Sequence, residues 1–198
     1  MSDFEQICKY KTLREARKYM ANKTATFKEI KIACYYEKRS IIDFLYSDNA
    51  ELIFTVIVQS IAVGNTKLFK YYFNKHVNDL TEDQIRRIFI LAIESLDDIK
   101  IIISMAKKYR ININEIEDIN ISISMIRTRD DINELCKKIK FKPDLSEILK
   151  SAIIGCNYEL AIDLINEEIT FEPDDEFNKV FADGIELSRE YLQRAIKN

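Results

Sequence analysis

Residues 151–165 read SAIIGCNYELAIDLI. Ala152, Gly155, Asn157, Leu160, Ala161 and Leu164 set out a small residue, an interruption and then an apolar run at helical spacing. The chain has only three glycines. One placed here, two residues before an asparagine, marks a turn between two helices, where a left-handed backbone costs glycine little. The asparagine can start the next helix or support the turn. The skeleton returns upstream in SIAVGNTKLFKYYF (60–73), where Asn65 stands three residues before Leu68 as Asn157 stands three before Leu160. Looser copies centre on Ala16, Ile41, Ile99 and Ile132. The six anchors, at 16, 41, 68, 99, 132 and 160, are 25 to 33 residues apart.

A second pattern is independent of the first. FKPDLSEILKSA (141–152) and FEPDDEFNKVFA (171–182) align at a shift of 30, and the chain's only two prolines, Pro143 and Pro173, coincide. Asp144 with Glu147 has the form of a capping box, TEDQ (81–84) is a similar helix start, and the proline stops the preceding segment. A period near 30 is the mark of a solenoid built from helix–turn–helix units. The spacing therefore predicts an all-α protein: an irregular α-solenoid of about six to seven stacked antiparallel helix pairs, one domain over residues 1–198. The scarcity of proline and glycine agrees, since an all-β chain needs many tight turns. INISISMI (119–126) and ININ (111–114) alternate with period two, which is a strand signal. The repeat frame assigns 119–126 to a first helix, and we follow the frame.

The composition, 47% hydrophobic and 32% charged, is that of a globular protein. The most apolar stretch, LIFTVIVQSIAV (52–63), contains Gln59 and Ser60 and is too short to span a bilayer. It reads as a buried helix, and no membrane insertion is expected. Cys8, Cys34, Cys136 and Cys156 show no CxxC spacing, and His76 is the one histidine. That pattern argues against zinc and for a reducing, cytoplasmic setting. Cys8 and Cys136 fall at repeat-equivalent apolar places and are assigned to the core. No phosphate loop or dinucleotide fingerprint is present, and His76 has no evident nucleophile beside it. The expectation is no cofactor, no metal and no enzymatic activity. In FKYYF (69–73), Phe69 and Tyr72 are assigned to the core and Tyr71 is left open. Glu167–Glu168 and Asp174–Asp175 fall at unit boundaries, the second pair at a helix N-terminus.

SAIIGCNYELAIDLI resembles the ankyrin repeat, and the resemblance covers most of the chain as weaker copies. No TPLH tetrapeptide opens a unit, and the glycine that follows the second helix of standard repeats is missing throughout. The connections at 74–83 and 107–118 are longer than usual. The resemblance thus implies an irregular stack of helical pairs rather than one with regular β-hairpin fingers. Degenerate repeats of this kind look like those encoded by large DNA viruses, including poxviruses, giant amoebal viruses and an asfivirus. Isoleucine makes up 33 of 198 residues, which with abundant Lys and Asn suggests an AT-rich genome. EYLQRAIKN at the end shows no F-box-like segment, so a ubiquitin-ligase adaptor is not expected. The resemblance implies a non-enzymatic protein–protein interaction module that binds a host or viral protein in the host cytoplasm. The alternative is a structural component or assembly factor of a virus particle, which would co-purify with particles at fixed stoichiometry.

Charge points to a candidate surface. The formal charge is −3, but 13 acids face 5 bases from Pro143 to the end, leaving +5 on residues 1–142. Lys107, Lys108 and Arg110 end one unit, and Lys137, Lys138, Lys140 and Lys142 end the next. Cations at helix C-termini complement the macrodipole. Stacked units would also bring Lys107, Lys108, Arg110, Lys138, Lys140 and Lys142 together as a positive ridge for an acidic partner. Only Tyr109 and Phe141 interleave with them, a poor provision for base stacking, so a protein is expected and nucleic acid is not. Oligomeric state is left open.

Overall fold

A computed structural model describes residues 2–46, 52–96, 98–126 and 128–196. Many helix starts are written as a short polar residue followed three later by Glu or Gln. At Ser2–Glu5 and Thr81–Gln84 the later side chain accepts from the first backbone N–H, and the first hydroxyl accepts from the later one. Two orphan donors are thereby satisfied at each end. In chain order the first helices are α1 (Asp3–Tyr10), α2 (Leu13–Met20), α3 (Phe27–Tyr35), α4 (Arg39–Tyr46), α5 (Leu52–Ala62) and α6 (Thr66–His76). Next come α7 (Glu82–Ser95) and α8 (Ile99–Lys108), then α9 (Ile119–Ile123) and α10 (Arg129–Ile139). The series ends with α11 (Leu145–Ile154) and α12 (Tyr158–Asn166), and α13 (Asp175–Asp183) and α14 (Arg189–Ala195). Among the described residues there is no strand, only one isolated bridge between Phe171 and Ile196. No helix among them is long and apolar enough to cross a membrane.

Residues 1–91 and 92–198 form two compact units. In the first, α1 packs on α3, α3 on α5 and α2 on α4, while chain neighbours α1–α2, α3–α4 and α5–α6 also touch. In the second, α9 packs on α11 and α11 on α13, and α8, α10, α12 and α14 follow one another in the same way. Alternate helices thus meet along much of each unit, and α4 also packs on α5. All six sequence anchors lie near the start of even helices and are buried: Ala16, Ile41, Leu68, Ile99, Ile132 and Leu160. Leu192, buried in α14, continues the series.

Among the described residues, six turns share one backbone. In each, a residue with positive φ follows a helix, and the next N–H bonds to the carbonyl five residues back, the hallmark of a Schellman motif. Glu37, Gly64 and Cys156 take this place between the helices of a pair, with bonds Lys38 N to Ala33 O, Asn65 N to Ser60 O and Asn157 N to Ala152 O. Arg110, Lys140 and Glu168 take it after α8, α10 and α12. After α8, α10 and α12 the missing glycine is therefore missing as a residue only, whereas α2 and α6 end without a left-handed residue.

Two sequence expectations are corrected and one is met. Gly155 is not the left-handed residue: its φ is −80°, and Cys156 carries the positive φ of 59°. A Cβ at Gly155 would meet the Ser151 carbonyl at 3.2 Å and Met125 Sδ at 3.6 Å, so close approach is its evident reason. The capping box at Asp144 is not closed by Glu147. Asp144 accepts from Ser146 N and Glu147 N, but the Glu147 carboxylate accepts from Asn120 Nδ2 at 2.6 Å, and Asn120 Oδ1 takes Asp144 N at 3.1 Å. A side chain of α9 thus completes the cap of α11. At 119–126 the helix expected from the repeat frame is met over Ile119–Ile123, against the period-two signal. Ile119, Ser122, Ile123 and Ile126 face inward at helical spacing, leaving Ile121 and Met125 exposed, and 111–114 runs into a 3-10 turn at 113–115.

Candidate interaction surfaces

The six basic residues singled out from sequence are all exposed. Lys107 and Lys108 close α8, Arg110 follows in the left-handed position, and Lys108 Nζ lies 5.0 Å from the centre of the Tyr109 ring. Lys138 is in the last turn of α10, Lys140 is its left-handed C-terminal residue, and Lys142 comes two residues on. α8 and α10 pack on each other, so Arg110 and Lys140 occupy equivalent turns at the ends of contacting helices. The left-handed turn matters to the chemistry. It exposes the side chain at the helix end while the backbone carbonyls of that end are tied up by the Schellman bond.

One member of each acidic pair is used structurally. Asp174 caps α13 through Phe177 N and binds Lys150 Nζ at 2.6 Å, which holds its carboxyl below the usual carboxylate range. Glu167 takes a bidentate pair from Arg129, with N–O distances of 3.0 and 3.1 Å. Side-chain bonds of this kind join positions about one repeat apart. Asn157 is another: its Nδ2 donates to the carbonyls of Ser124 at 2.8 Å and Ile126 at 3.0 Å. Asn65 plays the other role anticipated for these asparagines, its Oδ1 accepting from Leu68 N to cap α6.

His76 ends α6 inside a polar network. Its Nε2 is 3.1 Å from the Tyr46 hydroxyl and its Nδ1 3.0 Å from Asp79. Lys75 Nζ donates to the same hydroxyl at 2.8 Å, and Tyr46 donates to Asp43 at 3.2 Å. The Tyr72 hydroxyl adds bonds to Asp43 and to the Arg39 carbonyl. The shifts run opposite to what a nucleophile needs. Burial raises the Tyr46 hydroxyl, and the hydrogen bond to Tyr46 raises Lys75, keeping it protonated. The network is a clasp between α4 and α6. Phe69 and Tyr72 are in the core, and Tyr71, left open by the sequence, lies under the Arg39 guanidinium at 3.3 Å.

Cys8, Cys34 and Cys136 are buried, and Cys156 is exposed. Burial pushes the three buried thiols up from 9.0 to about 11, away from reactivity. Sequence reasoning passed over Tyr10 and Tyr35, which end α1 and α3 and are 69% and 68% exposed. A helix-final tyrosine among lysines, as in CKYK (8–11), was the signal to find. No family model, curated protein or solved structure matches the chain.

Proposed function

We propose that this chain is a non-enzymatic protein-interaction module, ankyrin-like and of the kind encoded by large DNA viruses. In this reading each unit is a run of α-solenoid built from antiparallel helix pairs. The observation that carries it is the packing of alternate helices along much of each unit, with one turn geometry recurring at the ends of the helices. Repeated pairs of this sort offer rigid, extended surfaces on which loops and helix ends collect contacts. The partner is an acidic protein of host or viral origin, held by Lys107, Lys108, Arg110, Lys138, Lys140 and Lys142 as one basic ridge across α8 and α10. Exposed charges act over about 10 Å at 0.1 M salt, so affinity should fall as salt rises.

The test is affinity capture from host cells followed by mass spectrometry, then titration of the captured partner against Lys138→Glu/Lys140→Glu. Association should slow more than dissociation quickens. The fold should hold, since substitutions at exposed positions usually change stability by about 0.5 kcal/mol or less. Wild-type affinity and salt dependence in the double variant would return these lysines to the role of helix-end cations.

A further inference from the structure

The N-terminal unit has a cleft between the end of α2 and the end of α4. Met20, Phe44, Leu45 and Leu52 give it an apolar floor, and Arg17 and Lys23 stand in its walls. Both cations are exposed, and among the described residues no carboxylate lines the cleft. Each cation rests on an aromatic face. The guanidinium of Arg17 lies 5.6 Å from the centre of the Phe44 ring, and Lys23 Nζ lies 3.4 Å from that of Tyr19. A ring face orients a cation without neutralising it, so the charge and the N–H donors stay available to an anion. Arg129 and Lys150 in the other unit differ, because carboxylates already occupy them. The surroundings favour an anion too: residues 1–91 hold 15 bases and 11 acids.

We propose that this cleft docks an acidic peptide segment carrying one large apolar side chain. That side chain seats on Met20, Leu45 and Leu52, and carboxylates on either side of it take Arg17 and Lys23. Two separate cations on one apolar floor match two carboxylates flanking one apolar group, which is peptide chemistry. A fatty acid brings a single carboxylate. A nucleic acid brings phosphates, but the cleft offers its bases no row of aromatic rings, Phe44 being the one aromatic residue in its lining among the described residues. The inference rests on the interaction-module reading but uses residues distant in sequence from Lys107–Lys142, so the two surfaces can fail separately.

The probe is a fluorescein-labelled synthetic peptide of Asp and Glu around a central Phe, followed by anisotropy on the full chain. Binding should saturate, weaken with salt, and drop at least about tenfold in Arg17→Glu/Lys23→Glu. It should drop as much when the peptide's Phe is replaced by Ser, and stay unchanged in Lys138→Glu/Lys140→Glu. If the charge-reversed protein loses its helical circular dichroism, Arg17→Gln/Lys23→Gln takes its place. Unchanged affinity in the cleft variant would overturn the proposal, as would equal binding of the Ser peptide, oligo-dT or oleate. Loss of binding in the Lys138/Lys140 variant alone would put the peptide on the ridge, which sinks the cleft and keeps the module. Concentration-dependent self-association abolished by Arg17→Glu/Lys23→Glu would give the cleft to a second copy of the chain and also overturn the peptide assignment.

Discussion

Cys8, Cys34 and Cys136 hold their protons to about pH 11 in the folded chain, against an ordinary value of 9.0, because burial disfavours the thiolate. A group raised on folding gives stability that is complete below its unfolded value and is lost as pH climbs through its folded value. Melting temperature should therefore fall between pH 9 and about 11, and less steeply in a Cys8→Ala/Cys34→Ala/Cys136→Ala variant. Identical slopes would show that the thiols do not carry the effect. At neutral pH a thiol reagent should modify Cys156 alone until the chain unfolds. Backbone strain is as specific. Gly64 has φ +68°, and a Cβ added there would meet nothing within 4 Å, so Gly64→Ala is purely conformational and should cost about 1 kcal/mol. Glu168, left-handed and exposed, should respond the other way, with Glu168→Gly stabilising by about 0.5–1 kcal/mol. Urea midpoints with unchanged slopes would check both.

At the scale of the helix pair, Asn157 couples the α11–α12 turn to the segment after α9. Asn157→Ala leaves the Ser124 and Ile126 carbonyls without that donor and should cost about 1–3 kcal/mol. Asn157→Asp should cost more, because a carboxylate has no donor and would face two carbonyl oxygens; equal or smaller loss, read by chemical denaturation, would mean that the amide is not the link. Much at this scale was legible in the sequence. The anchors fell on buried positions of even helices, Asp144 and Asp174 proved to be caps, and 52–63 is the helix α5. What escaped had physical reasons. The turn residue is set by tertiary fit, so a neighbouring glycine misled the reading at 155. Asn120 completes a cap 24 residues away, beyond any local motif. The Arg17–Lys23 cleft is assembled from segments that share no pattern.

Within each unit, among the described residues, helices in substantial contact lie no more than two apart in the chain. Stability should then be close to a sum of neighbour terms. Leu160 is fully buried, and Leu160→Ala should cost about 2–5 kcal/mol. Hydrogen exchange should locate that loss in residues 92–198 and leave protection in 1–91 near its original level. Uniform loss over the whole chain would mean that the units unfold as one. The six shared turns have a further consequence. Five of them hold their left-handed residue as Glu, Arg, Lys or Cys, at a penalty of about 1 kcal/mol each. A residue that costs so little can be exchanged while the bend it makes stays put. Changing any of these five residues to another should therefore leave the bend in place, and changing it to glycine should relieve the penalty.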